Sequence, residues 1–131
     1  MIEITRIYDA PRDKVWRAWT QPEELVRWWG KRGWTARPDS LVMDVRPGGA
    51  FRVVTVNDED GREMISEGVY AEVVEPERLT FGESTVTFID LGDGRTRMDF
   101  RTSARMDETA VGGFNSALDR LAEHLQTKDP R

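Results

Sequence analysis

The chain has 131 residues, of which 38% are hydrophobic and 33% charged, a size and composition suited to one soluble domain with a packed core. The absence of cysteine excludes disulfides and thiolate chemistry, and a single histidine leaves few ligands for a metal site. A net charge of −5 argues against nucleic acid and anionic lipid as partners, because both attract clustered cations.

Two further features concern the cellular context. No apolar run approaches the roughly 20 residues that a membrane span needs, and residues 1–9 lack the basic and then apolar pattern of a signal peptide. We therefore predict one domain over residues 1–131, located in the cytoplasm, that binds no metal, no cofactor, no nucleic acid and no membrane.

The chain begins with a predicted strand, residues 2–8, followed by two short predicted helices. The helical segments are residues 10–19, APRDKVWRAW, and residues 20–30, TQPEELVRWWG, which together contain four of the five tryptophans. Their apolar faces consist of Val15, Trp16 and Trp19 in the first and Leu25, Trp28 and Trp29 in the second. Helices this short are unstable alone, so elements further along the chain must cover these faces.

The ends of both helices carry recognisable signals. Pro11 and Pro22 suit a first helical turn, where a missing N–H costs nothing. Thr20 and Glu23 have the spacing of a capping box, and Gly30 is typical of a helix end.

From residue 34 the pattern changes to strands separated by polar or glycine-rich turns. The predicted strands are residues 34–45, 51–56, 64–74, 79–81, 86–91 and 95–104. Residues 57–61, NDEDG, form one of the turns; they are acidic, but Val56 occupies the first ligand position of a calcium loop and strands flank the segment. In the last strand, Asp99 and Arg101 alternate with Met98 and Phe100, which places the charges on the outer face.

The final element is an amphipathic helix over residues 110–126. Its apolar stripe consists of Val111, Phe114, Leu118, Leu121 and Leu125, and the side facing away carries Asp119, Arg120 and Glu123. Gly112 and Gly113 weaken its first turn, so the secure part begins at about Gly113. The order of elements predicts an α+β fold, in which seven antiparallel strands curve around this helix.

Several segments, in this order, resemble one known family: APRDKVWRAW, PEELVRWWG, DVRPGGAFR, GVYAEVVEPERLTF and GFNSALDRLAEHL. They are similar to the bacterial homologues of the activator of heat shock protein 90 ATPase, within the START-related (SRPBCC) superfamily. The resemblance implies a helix-grip fold, often with an apolar cavity between sheet and helix. It implies no reaction, because members include ligand carriers, polyketide cyclases and co-chaperone domains.

The candidate pocket residues are large apolar or aromatic side chains on the helices and strands. They are Trp29, Trp34, Phe51, Tyr70, Phe88, Met98, Phe100, Phe114 and Leu118. Such side chains suit a ligand pocket and are equally suited to filling a core, so the sequence leaves both interpretations open. If Tyr70 points inward, strand alternation also places Glu72 inward, where it needs a partner such as an arginine.

No catalytic residue is predicted. His124, the only imidazole, lies at the edge of the apolar stripe near the C-terminus of the helix, where a cation is favourable, and is interpreted as a surface residue. The sequence thus favours a carrier that holds a small apolar molecule between sheet and C-terminal helix without covalent chemistry. The alternatives are an adaptor that binds a heat shock protein 90 class ATPase or another protein, and a polyketide cyclase or aromatase-type enzyme; a homodimer is compatible with each.

Overall fold

A computed structural model describes residues 1–126 of the chain. The elements are β1 (Ile2–Tyr8), α1 (Arg12–Thr20), α2 (Pro22–Leu25), β2 (Trp34–Ala36), β3 (Val42–Met43), β4 (Ala50–Asn57), β5 (Glu63–Val74), β6 (Arg78–Phe81), β7 (Ser84–Gly92), β8 (Arg95–Thr102) and α3 (Glu108–Gln126). Residues 127–131, which the single-domain prediction includes, lie outside the described residues.

The strands form one antiparallel sheet in the order β1-β8-β7-β6-β5-β4-β2, with β3 also paired to β4. Seven strands therefore make the continuous path through residues 1–126, which confirms the predicted α+β class and seven-stranded sheet. Sequential hairpins connect β4 through β8, and β1 closes the far edge by pairing with β8.

The edge beside β4 differs from the prediction of one long strand over residues 34–45. A 3-10 turn at Pro38–Ser40 divides this segment into β2 and β3, which pair with the two ends of β4. Pro38 accounts for the break, because proline has no N–H to donate to a strand ladder.

The predicted capping box at the start of α2 is wrong. Gln21 occupies the N-cap position and makes no side-chain cap bond. The Thr20 hydroxyl instead donates to the carbonyl of Trp16 at 2.8 Å, within the preceding helix. Gly30 lies in the left-handed region with φ of +100°, as expected where the helical turns end.

Helix α3 begins earlier than the glycines suggested. Asp107 caps it, because its Oδ1 accepts from the Ala110 N–H at 2.8 Å while its carbonyl accepts from Val111 at 3.0 Å. This cap holds the first turn in place before Gly112 and Gly113. None of the helices within residues 1–126 has the length and apolarity required to cross a membrane.

The core lies between α3 and the inner face of the sheet. Leu118, Leu121 and Leu125 are buried, and Phe114 packs on Phe100 with ring centroids 4.4 Å apart. Helix α1 adds Trp19 and its neighbours to the same cluster. The stripe predicted from residues 111–125 therefore faces the sheet, although Val111 and Phe114 at its start are only half-buried.

A β-bulge in β5 breaks the alternation by which an inward Tyr70 would place Glu72 on the inner face as well. The register against β6 shifts between these two residues, so the alternation of faces is interrupted. Tyr70 is buried, whereas Glu72 is exposed and accepts from Arg78 Nε at 2.5 Å. Glu72 does have an arginine partner, but on the outer face.

Arg120 does not face away from the protein as the helical pattern suggested. Its side chain is half-buried, and Nη1 donates to the carbonyls of Gly30 and Trp34 at 2.8 and 3.0 Å. A longer bond of 3.4 Å reaches the carbonyl of Trp29. Burial lowers the pKa of Arg120, yet the group stays charged at neutral pH and ties the segment after α2 to the middle of α3.

Replacing this guanidinium should destabilise the fold. We expect Arg120→Met to lower the free energy of unfolding by roughly 1–3 kcal/mol, since partly buried carbonyl groups lose their donor. Urea unfolding measures the effect, with Arg95→Met in the exposed β7–β8 hairpin as the control, expected within about 0.5 kcal/mol of the wild type. Equal stability of the two variants would contradict a structural role for Arg120.

Both tyrosines of the chain, Tyr8 and Tyr70, are buried. Burial raises the pKa of each phenol well above its ordinary value, and Tyr8 also donates to the carbonyl of Leu118 at 3.4 Å. A raised pKa means that the neutral phenol is favoured by folding. The stabilisation is complete below the unfolded-state pKa of about 10 and is lost as the pH rises above it.

The folded protein should therefore show no free-tyrosine titration. We expect the tyrosinate absorbance at 295 nm to stay flat past pH 10.5 and then rise together with the loss of circular dichroism. In denaturant both phenols should titrate near pH 10. Full ionisation at about pH 10 with the secondary structure intact would contradict the burial of these side chains.

Candidate ligand cavity

A cavity of about 400 Å³ lies between the first half of α3, the segment after α2 and the beginning of β5. It is open to solvent on one side. The lining residues are Trp29, Gly30, Lys31, Met64, Ser66, Met106, Asp107, Thr109, Ala110, Gly113, Phe114 and Ala117.

The sheet side of the cavity follows from the register of β4 and β5. Met64 and Ser66 pair with Thr55 and Val53, and directly paired residues share a face of the sheet. Val53 is fully buried, so Met64 and Ser66 belong to the inner face. Met64 is nevertheless 49% exposed, because α3 does not close over this part of the sheet.

The helix side is formed by small side chains on one face of α3. Ala110, Gly113 and Ala117 follow one another at steps of three and four residues, which aligns them along the helix. A Cβ at Gly113 would lie 3.3 Å from Lys31 Cδ, so glycine allows the close approach of the loop. Small residues opposite Ser66 leave the space that larger side chains fill further along α3.

The segment after α2 is held as a fixed wall of the cavity. Besides the Arg120 bonds, the Arg32 N–H donates to Ser116 Oγ at 3.0 Å, and the Arg32 guanidinium forms an ion pair with Glu123. These contacts join the wall to α3 at three successive turns. The cavity mouth is therefore defined by secondary structure on two sides and by a tethered loop on the third.

The polar groups of the lining are few. Lys31 places its Nζ 5.2 Å from the centroid of the Trp34 ring, in a cation–π contact. Asp107 is engaged as the cap of α3, and Ser66 and Thr109 contribute hydroxyls. Within residues 1–126 no group of three or more His, Asp or Glu side chains could hold a metal ion.

The predicted pocket residues occupy three different environments. Trp29 and Phe114 line the large cavity, while Trp29, Phe51 and Tyr70 line a second cavity of only about 10 Å³. The remaining predictions are buried core residues that line neither cavity: Trp34, Phe88, Met98, Phe100 and Leu118. Whether any of the nine contacts a ligand stays a prediction.

Most residues that line the large cavity were not predicted from the sequence. The predicted residues are large side chains, whereas Ser66 and the small residues of α3 create the space. The detectable signal was the row of Ala and Gly on the apolar face of a helix that otherwise carries Leu and Phe.

His124 is not the surface residue expected near the end of α3. Its side chain is largely covered, and Nε2 lies 3.2 Å from Glu24 Oε1 on α2. The pair connects the two helices away from the cavity. The acidic segment over residues 57–61 does form the predicted turn, in which Asn57 Oδ1 accepts from the backbone of Glu59 and Asp60.

Comparison with known proteins adds to this geometry. A crystal structure of a protein from Chromobacterium violaceum is 25% identical, with a TM-score of 0.81 over 97% of this chain and 98% of that one. A protein from Nitrosomonas europaea is 21% identical, with a TM-score of 0.83 and coverage of 95% and 93%. The AHSA1 protein of Silicibacter pomeroyi is 24% identical, with a TM-score of 0.76 and coverage of 95% and 96%.

A search of curated proteins gave no match. The family model described as "Activator of Hsp90 ATPase homolog 1-like protein" matches residues 9–126. This match spans most of the sequence and includes α1, α2, β2–β8 and α3, in agreement with the helix-grip arrangement of sheet and helix. The chain therefore belongs to the family of activator of Hsp90 ATPase homolog 1-like proteins.

Proposed function

We propose that this protein binds a small apolar molecule in the large cavity between β5 and the first half of α3, without covalent chemistry. The observation that carries the proposal is the cavity itself, of about 400 Å³ and bounded mostly by apolar side chains. Ligand sites of this kind commonly measure about 300–1,000 Å³ and combine apolar walls with a few polar groups.

The tethered wall supports binding of a ligand at this position. Arg120 and Arg32 hold the segment of Trp29 and Lys31 against α3, so the cavity is a preformed feature rather than a gap between mobile segments. A preformed site lowers the entropic cost of binding. The ligand would enter through the open side, between Met64 on the sheet and Ala110 on the helix.

The test uses an environment-sensitive, uncharged apolar dye together with a variant that fills the cavity. We expect the wild type to bind about one dye per chain, and Ser66→Trp to weaken binding about tenfold or more, because an indole on the inner face occupies the site. Fluorescence titration measures the affinity. The matched control is Ile65→Trp. Ile65 is the adjacent residue on the same strand, is 52% exposed and faces outward. This variant should bind the dye with the affinity of the wild type.

Thermal unfolding must show that both variants are folded, since overpacking costs about 1–3 kcal/mol. Ala110→Trp, on the exposed rim of α3, provides a second way to fill the cavity with less strain. Unchanged dye affinity in folded Ser66→Trp and Ala110→Trp would place the binding site elsewhere. Absence of saturable dye binding by the wild type would contradict the carrier function.

A further inference from the structure

We infer that the bound molecule carries a neutral hydrogen-bond acceptor, such as a ketone, ester or amide carbonyl, and that this acceptor binds the indole N–H of Trp19. The inference rests on the proposed function, since it names the chemical class of the ligand for the same site. It adds a specificity-determining residue that lies deeper than the large cavity.

The starting observation is an unpaired donor in the core. Trp19 is only 2% exposed, and its Nε1 has no hydrogen-bond partner among residues 1–126. The neighbouring Trp28 is satisfied, because its Nε1 donates to the carbonyl of Ala18 at 2.9 Å. A buried N–H without an acceptor costs stability, and such groups are rare in native proteins.

Trp19 also lines the small inner cavity of about 10 Å³. The other residues around this space are Leu25, Trp29, Phe51, Tyr70, Leu79 and Phe81. Trp29 is the one side chain, in the described part of the chain, that lines both cavities. Trp29 is thus common to the walls of the large cavity and of the space beside Trp19.

Access to Trp19 from the large cavity requires movement of the Trp29 ring. Its ring is half-buried, with its centroid 6.1 Å from that of Trp19 and 5.5 Å from that of Phe51. Its backbone is held, because Arg120 donates to the carbonyls of Trp29 and Gly30. For a ligand in the large cavity to reach Trp19, the Trp29 side chain must rotate away from the rings of Trp19, Trp28 and Phe51 while its backbone stays in place.

The inner lining determines the charge of the acceptor. Among residues 1–126 no charged side chain lines the space beside Trp19, and the other polar groups of its lining are the phenol of Tyr70 and the indole N–H of Trp29. A carboxylate there would lose its hydration without gaining a cation, whereas a carbonyl oxygen needs only one donor. The site should consequently prefer a neutral carbonyl compound to both the matching hydrocarbon and the matching acid.

The test compares 2-acetylnaphthalene with 2-isopropylnaphthalene, which have similar shapes and differ in the carbonyl. We expect the ketone to displace the dye with about three- to tenfold higher affinity, the net value of one neutral hydrogen bond. In a spectrum of the ¹⁵N-labelled protein, the ketone should shift the indole N–H signal of Trp19 downfield and the hydrocarbon should not. The missing signal of Trp19→Phe assigns that resonance among the five tryptophans.

Trp19→Phe removes the donor and should bind both probes with similar affinity. The matched control is Trp16→Phe, a buried tryptophan on the same helix that packs on Phe88 and lines neither cavity. It should keep the preference for the ketone. Thermal unfolding checks both variants. If Trp19→Phe does not fold, nuclear Overhauser contacts of the Trp19 indole with the rings of Trp28 and Phe88 assign its signal in the wild type, and the response of that signal to the ketone decides the question.

Three results would each overturn the inference. They are equal affinities of the wild type for the two probes, a Trp19 signal that does not shift at saturating ketone, and a preference for the ketone that Trp19→Phe retains. In those cases dye and hydrocarbon still bind, so the carrier function stands. Loss of all binding, by dye and by both naphthalenes, would instead refute the carrier function and the inference with it.

Discussion

The packing of α3 on the inner face of the sheet is the contact on which the rest of the structure depends. Its leucines fill the space between the strands and α1, and without them the apolar inner face of a curved sheet would be exposed to water. The two short helices α1 and α2 are too short to persist alone and are stabilised by the same core. Arg120 on the same helix then fixes the loop that follows α2.

The cavity is a consequence of how α3 changes along its length. Toward the C-terminal end the inward side chains are leucines and the interior is filled. Toward the N-terminal end the small residues Ala110 and Gly113 lie beside Phe114, and space remains. A wide sheet curved around a single helix leaves more room than one row of side chains can occupy. Residue size at a few helix positions therefore decides whether this fold has a solid or a hollow interior.

The architecture could be predicted from the sequence because hydrophobic periodicity reports which side of an element is buried. The strand ladder and the stripe of α3 follow from it. Features that depend on contacts between distant residues could not be predicted. The bulge between Tyr70 and Glu72 is set by pairing with β6, and the inward reach of Arg120 depends on carbonyls about 90 residues away.

The candidate site was harder to predict for a related reason. A pocket is defined by missing volume, and sequence patterns identify large side chains more readily than the small ones that leave space. Trp34, Phe88 and Leu118 have the chemistry of pocket residues but complete the core, whereas Ser66 and Gly113 have modest chemistry and line the opening. Only the tertiary arrangement separates these two sets.

The unequal packing of the two halves of α3 also has a consequence for motion. Segments with few buried contacts open through local fluctuations, while densely packed ones exchange their amide protons only on global unfolding. The leucine-rich half should thus belong to the slowest-exchanging unit of the protein, and the turns around Ala110 to a faster one. A ligand bound against the first half of α3 would make the opening of that half less frequent by mass action. Ligand binding would then slow amide hydrogen exchange at the N-terminal end of α3 and leave the exchange of its C-terminal end unchanged.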